Sequence, residues 1–93
     1  MPPLADAEIS AALDQLTGWT REGDEIAKTF DCETFAGSIA FVVKVAFLAE
    51  RADHHPDIDV RWRRVRIALT THDAGGLTNR DLDLAAEIEG IEA

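Results

Sequence analysis

The stretch from Phe35 to Leu48 constrains this chain more than any other. Phe35, Ile39, Phe41, Val42, Val43, Val45, Phe47 and Leu48 recur at helical intervals but do not fit one narrow stripe. A helix resting on a single sheet needs one apolar face, with polar residues opposite. The helix predicted from Glu33 or Thr34 to Arg51 carries more apolar surface than one sheet can cover. One side is expected to pack on the chain's own sheet, and another on a second copy of the chain. The longest apolar run, Ile39 to Ala49, is interrupted by Lys44 and is too short to span a bilayer.

The rest of the pattern supplies the sheet. Ile58, Val60 and Trp62 alternate with Asp57, Asp59 and Arg61, and Val65, Ile67 and Leu69 alternate with Arg64, Arg66 and Ala68. A two-residue turn at Arg63-Arg64 would set Trp62 against Val65 and place all six apolar residues on one sheet face. Arg-Arg is a poor turn sequence, so a longer turn stays open. A first hairpin is expected earlier, with strands Trp19 to Glu22 and Glu25 to Cys32 joined by Gly23-Asp24. Its alternation is imperfect, because Lys28 shares parity with Ile26 and Phe30. A first helix is expected from Asp6, as N-cap, to Gln15, with Ile9, Ala12, Leu13 and Leu16 on one face and Gly18 after it. A last helix starts at Thr78. Thr78 and Asp81 have capping-box spacing, Leu77 and Leu82 that of a hydrophobic staple, and Leu82, Ala85, Ile88 and Ile91 form the predicted buried stripe. The order is helix, two strands, helix, two strands, helix. It predicts an α+β fold in which a four-stranded antiparallel sheet carries three helices on one face.

Ninety-three residues make one domain, 1–93, and one small enough to gain from assembly. The net charge of −9 argues against a nucleic-acid or anionic-membrane partner. Arg61, Arg63, Arg64 and Arg66 are the local exception, readable as a solvated strand face or as a patch for an anionic partner. Cys32 is the only cysteine and is expected to be a small buried hydrophobe. The Met-Pro-Pro-Leu start lacks a basic, apolar leader, which gives the expectation of a cytoplasmic protein.

The chain has three histidines, His54, His55 and His72. Pro56 disfavours helical geometry at His55, so the first two belong to a helix-exit loop. His72 lies in the loop Thr71 to Gly76, bent at Gly75-Gly76. The two loops flank one hairpin, whose ends return to the same edge, so the three imidazoles are expected to converge. Histidine can give and take a proton near neutral pH. Surface histidines without a role are the plain alternative. A metal site is disfavoured, because adjacent residues in extended chain point apart.

Glu50-Arg51-Ala52-Asp53-His54-His55-Pro56, Val65 to Leu69, and Thr70-Thr71-His72-Asp73-Ala74-Gly75-Gly76-Leu77-Thr78 with Asp81, together with Gly18-Trp19, resemble the signature of the pterin-4a-carbinolamine dehydratases. The motif core covers roughly residues 50–85, and the element order matches that family's fold over nearly the whole chain. The resemblance implies a lyase that removes water from a 4a-hydroxytetrahydropterin, linked to an aromatic amino acid hydroxylase. It implies no cofactor and no metal. His54 and His72 correspond to acid–base groups, and His55 to one that holds the pterin. Glu50, Trp19, Thr71 and Asp81 match substrate-site residues, with capping an equal explanation for Asp81 and core packing the commoner one for Trp19. It also implies a homodimer or homotetramer built through the helix at 34–51. The competing readings are an interaction or assembly-factor module of the same fold without catalysis, and a metal-dependent hydrolase.

Overall fold

The computed structural model describes residues 2–91. The elements run α1 (Asp6–Leu13), β1 (Thr20–Glu22), β2 (Glu25–Asp31), α2 (Phe35–Ala52), β3 (Asp57–Arg61), β4 (Arg64–Leu69) and α3 (Asn79–Ile91), with a single 3₁₀ turn at His72–Ala74. The strands form one antiparallel sheet in the order β1-β2-β4-β3, as the alternation predicts. The first hairpin closes as expected, with Glu22 opposite Glu25 and Gly23-Asp24 between them.

Register explains the imperfect alternation of β2. Ile26 stands opposite Leu69, Lys28 opposite Ile67 and Phe30 opposite Val65. Lys28 therefore occupies the helix-covered face. Its ammonium reaches the Thr17 carbonyl at 2.9 Å and the Glu89 carboxylate of α3, and it lies over the Phe30 ring. Ile26, Val65, Ile67, Leu69, Leu84 and Ile88 are fully buried, and the same core takes in Ile9, Leu16, Phe41 and Val45. Burying aliphatic side chains of this size stabilises the fold by about 1.5–3 kcal/mol each.

Four local expectations need correction. The second hairpin turns at Trp62-Arg63, because Val60 pairs with Val65 and Arg61 with Arg64. That register keeps Ile58, Val60, Val65, Ile67 and Leu69 on one face but leaves Trp62 outside, 84% exposed at φ 54°. The N-cap of α1 is Ala5 rather than Asp6; the Glu8 carboxylate reaches back to accept the Ala5 amide at 3.1 Å. Helix α1 also ends at Leu13, two residues before Gln15, and a run of turns leads to Gly18 at φ 87°. In α3 the buried residues are Asp81, Leu84, Ala85 and Ile88, so Leu84 belongs to the stripe and Leu82 packs at its margin.

Helix α2 starts where Thr34 caps it, its side chain accepting the Gly37 amide at 2.9 Å. Its inner side buries Phe41, Val45 and Ala49. Phe35, Ile39, Val43 and Phe47, spaced by four, stay 59%, 44%, 49% and 73% exposed, so the surplus apolar side runs the length of the helix. Cys32 is buried, as expected, and burial pushes its thiol upward from the ordinary range, with the Ser38 hydroxyl pulling the other way. The arginines of the second hairpin are mostly paired at the surface, Arg61 with Asp59, Arg63 with Asp31, and Arg66 with Glu22 and Glu25. No helix is long and apolar enough to cross a membrane among the described residues.

Candidate active site

The exit of α2 is a Schellman motif, and it places His54. Asp53 adopts the left-handed conformation at φ 50°, ψ 44°, and its amide donates to the Glu50 carbonyl at 3.2 Å. The His54 amide then donates to the Ala49 carbonyl at 3.1 Å, which closes the last turn. The His54 side chain is thereby delivered at a fixed point rather than on a free loop, and it is 7% exposed.

The start of α3 comes to meet it. Thr78 is the cap, with its hydroxyl accepting the Arg80 amide at 3.2 Å. Asp81, three residues on, accepts the Thr78 amide on Oδ2 at 3.0 Å and so completes the predicted capping box. Thr71 donates its hydroxyl to the same Oδ2 at 2.8 Å. The remaining oxygen, Oδ1, lies 2.5 Å from His54 Nε2. Asp81 is fully buried. One carboxylate therefore caps a helix, as its spacing from Thr78 predicts, and also holds an imidazole.

That contact decides the chemistry of His54. A carboxylate only accepts, so the hydrogen must sit on Nε2. The lone pair of the uncharged ring is then on Nδ1. Nδ1 has no hydrogen-bond partner among the described residues, and His54 lines an open cleft of about 250 Å³. His55, His72, Thr71 and Arg80 line the same cleft, so the three imidazoles converge as expected. His72 is exposed on the 3₁₀ turn, which is closed by the bridge between Thr71 and Gly76. His55 is also exposed, and Glu50 holds its Nε2 at 3.2 Å.

The other predicted residues fall differently. Thr71 borders the cleft, but its hydroxyl is engaged by Asp81 and by Thr78, the latter at 2.9 Å. Trp19 does not line the cleft. It is 4% exposed, packs edge-on against Phe30, and donates its indole N–H to Glu89 at 2.9 Å. Arg80 was not singled out from the sequence. Its guanidinium binds the Asp53 carbonyl and ties the α2 exit to the α3 start. The available signal was a basic residue in the first turn of a helix, where the macrodipole disfavours it.

An open groove of about 930 Å³ lies between the second hairpin and the start of α2, lined by Phe35 and Trp62 and by no histidine. No group of three or more His, Cys, Asp and Glu side chains is arranged to hold a metal ion among the described residues.

The family model described as pterin 4 alpha carbinolamine dehydratase matches residues 2–91. The chain belongs to that family. Members similar to it include one from Roseiflexus sp. (strain RS-1), 65% identical over 88 residues that make up 95% of each chain, named as a candidate pterin-4-alpha-carbinolamine dehydratase. Another, from Nocardia farcinica, bears the same name and is 57% identical over 95% of this chain and 93% of its own. Among solved structures, a transcriptional coactivator/pterin dehydratase from Brucella melitensis superposes with a TM-score of 0.93 at 30% identity, over 98% of this chain and 99% of the other. A pterin dehydratase-like RuBisCO assembly factor of the alpha-carboxysome superposes with a TM-score of 0.64 at 23% identity, over 78% and 84%, which shows the shared fold alone. As in the expectation from sequence, this pterin dehydratase family member joins a four-stranded antiparallel sheet to three helices.

Proposed function

We propose that this chain removes water from 4a-hydroxytetrahydropterins, and that His54 and His72 carry the proton transfers. The observation that carries the reading is His54, its Nε2 fixed on Asp81, lining the same cleft as His72. Dehydration of a carbinolamine needs one proton delivered to the leaving hydroxyl and one removed from the adjacent nitrogen. With its hydrogen committed to Asp81, His54 offers a lone pair and takes the proton from N5 of the pterin. A protonated His72 gives a proton to the 4a-hydroxyl. The C4a–O bond breaks, the N5 electron pair forms the C4a=N5 bond, and water leaves with a quinonoid dihydropterin as product. The proton on His54 then returns to His72 through solvent. No electron changes hands, so the reaction itself calls for neither a redox cofactor nor a metal.

His55 holds the ring in this reading, supported by its contact with Glu50, and Asp81 acts on the chemistry through His54 as a positioning residue. The exposed stripe of α2 supports assembly with further copies of the chain, as a dimer or tetramer. The source of the substrate would be an aromatic amino acid hydroxylase.

The test is a dehydration assay with 4a-hydroxytetrahydropterin generated in situ by a phenylalanine hydroxylase. His54→Ala/His72→Ala is expected to lower turnover by about 10²-fold or more, the usual worth of a general acid–base group. Full turnover by the double variant would end the mechanism, and an inert wild-type protein would favour a non-catalytic assembly role.

A further inference from the structure

His54 is held in place by Asp81, and His55 contacts Glu50. His72 stands exposed on its 3₁₀ turn, and its side chain has no hydrogen-bond partner among the described residues. Its position therefore depends on the backbone of the loop Thr71 to Gly76. Two reciprocal hydrogen bonds close the base of that loop, from the Thr71 amide to the Gly76 carbonyl at 3.3 Å and from the Gly76 amide to the Thr71 carbonyl at 3.4 Å. Both are longer than the usual range of roughly 2.7–3.2 Å and hold weakly.

The segment before α1 covers the same loop base. The Leu4 amide donates to the carbonyl of Leu77, the residue after Gly76, at 2.8 Å. Pro3 lies on Gly76 itself, where an added Cβ would stand 3.1 Å from the Pro3 Cβ, closer than side chains normally pack. Gly75 adopts a left-handed φ of 73°, which glycine takes without strain. Gly76 has no positive φ, and what restricts it is the nearness of Pro3. The segment is anchored in turn, since Leu4 packs against the core, Ala5 caps α1 and Ile9 of that helix is buried. Neither Pro3 nor Leu4 lines the histidine cleft.

We infer that Pro3 and Leu4 form a brace that positions His72 from outside the cleft, with Gly76 as its seat. The inference rests on the dehydratase reading and supplies for His72 the support that Asp81 gives His54. The brace touches no reacting atom and acts through the loop. A proton donor must stand within hydrogen-bond reach of the leaving hydroxyl, and a displacement of about 1 Å can cost about 10²-fold in rate.

The experiment is a double-mutant cycle in the full chain, with the carbinolamine generated in situ. Pro3→Gly/Leu4→Ala removes the packing on Gly76 and loosens the core anchor, and Gly76→Ala presses a methyl group into the seat. Each is expected to lower kcat by roughly tenfold and to change KM by less than about threefold. In a His72→Ala background the same changes should cost less than about twofold, because the group they place is gone. An equal loss with and without His72 marks general damage to the fold and overturns the brace, as does unchanged kcat where His72 is present. The ring C–H NMR signal of His72 reads the brace without turnover. Pro3→Gly/Leu4→Ala should shift or broaden it while the His54 signal stays in place, and an unmoved His72 signal overturns the brace. A wild-type protein inert toward the carbinolamine removes the dehydratase reading alone, and the ring signal then decides whether Pro3 and Leu4 hold His72.

Discussion

Asp81→Asn isolates the link between helix capping and acid–base chemistry. Asp81 receives hydrogen bonds from the Thr78 amide and the Thr71 hydroxyl on Oδ2 and contacts His54 through Oδ1. Asparagine has the same shape, and its one oxygen can still accept from Thr78 and Thr71. Its NH₂ group then faces His54 and donates, so Nε2 must accept and the hydrogen moves to Nδ1, into the cleft. The lone pair assigned to the substrate proton is gone. The expected loss is about 10²- to 10⁴-fold in kcat, the span between one general base and a catalytic histidine held in the wrong tautomer. A 10²-fold loss corresponds to about 2.7 kcal/mol of barrier. Stability should fall by only about 1–2 kcal/mol, because one charge-assisted bond is weakened and no donor is stranded. Alanine would be the wrong probe. It strands the Thr78 amide and the His54 Nε2–H at about 1–3 kcal/mol each and leaves Thr71 only the Thr78 hydroxyl, a large share of the roughly 5–15 kcal/mol that holds a whole domain. Stopped-flow dehydration kinetics with urea unfolding of the same samples give both numbers. A folded Asp81→Asn protein that turns over within threefold of wild type would refute the assignment of His54 Nδ1 as base.

Three further outcomes are expected. Val43→Asp/Phe47→Asp places two charges on the exposed stripe of α2, and sedimentation should show the assembly falling to smaller species; unchanged mass would exclude that face as the interface. Trp62→Gly should raise stability to urea by roughly 1 kcal/mol, since Trp62 holds a left-handed φ of 54° with little burial to offset it. The Cys32 thiol should resist modification in the folded protein and react rapidly in denaturant. Its pKa is raised on folding, so its stabilising contribution is complete below the unfolded thiol's pKa and declines as pH rises from there through the folded value; unfolding at a series of alkaline pH values reads this sign.

What the sequence disclosed was the part governed by periodicity and punctuation. Helix α2, its Thr34 start and its end before Pro56 follow from residue pattern, and so do the Gly23-Asp24 hairpin and the Thr78–Asp81 cap. The convergence of His54, His55 and His72 also followed, because a hairpin returns its ends to one edge. The corrections have two kinds of cause: local competition, as where Glu8 caps α1 at Ala5, and partners far along the chain. Turn position in the second hairpin was settled by half-buried Val60 pairing with buried Val65, a packing gain that outweighed the strain at Trp62. Lys28 looked misplaced until Glu89, 61 residues away, was there to receive it. For Trp19 the sequence offered a core role beside the site role implied by resemblance, and its indole N–H donates to Glu89, 70 residues away. Arg80 could not be valued before the Asp53 carbonyl was known to face it.

The shared carboxylate at position 81 ties architecture to activity unequally. An ancestor could exchange either solvent-facing imidazole, His55 or His72, and keep every strand and helix, since neither anchors the backbone. Exchange of the aspartate would cost folding and turnover in one step. Descendants that abandon the reaction for another task would therefore shed imidazoles first and keep the acid, a fossil of catalysis preserved by its second employment as the opening of a helix.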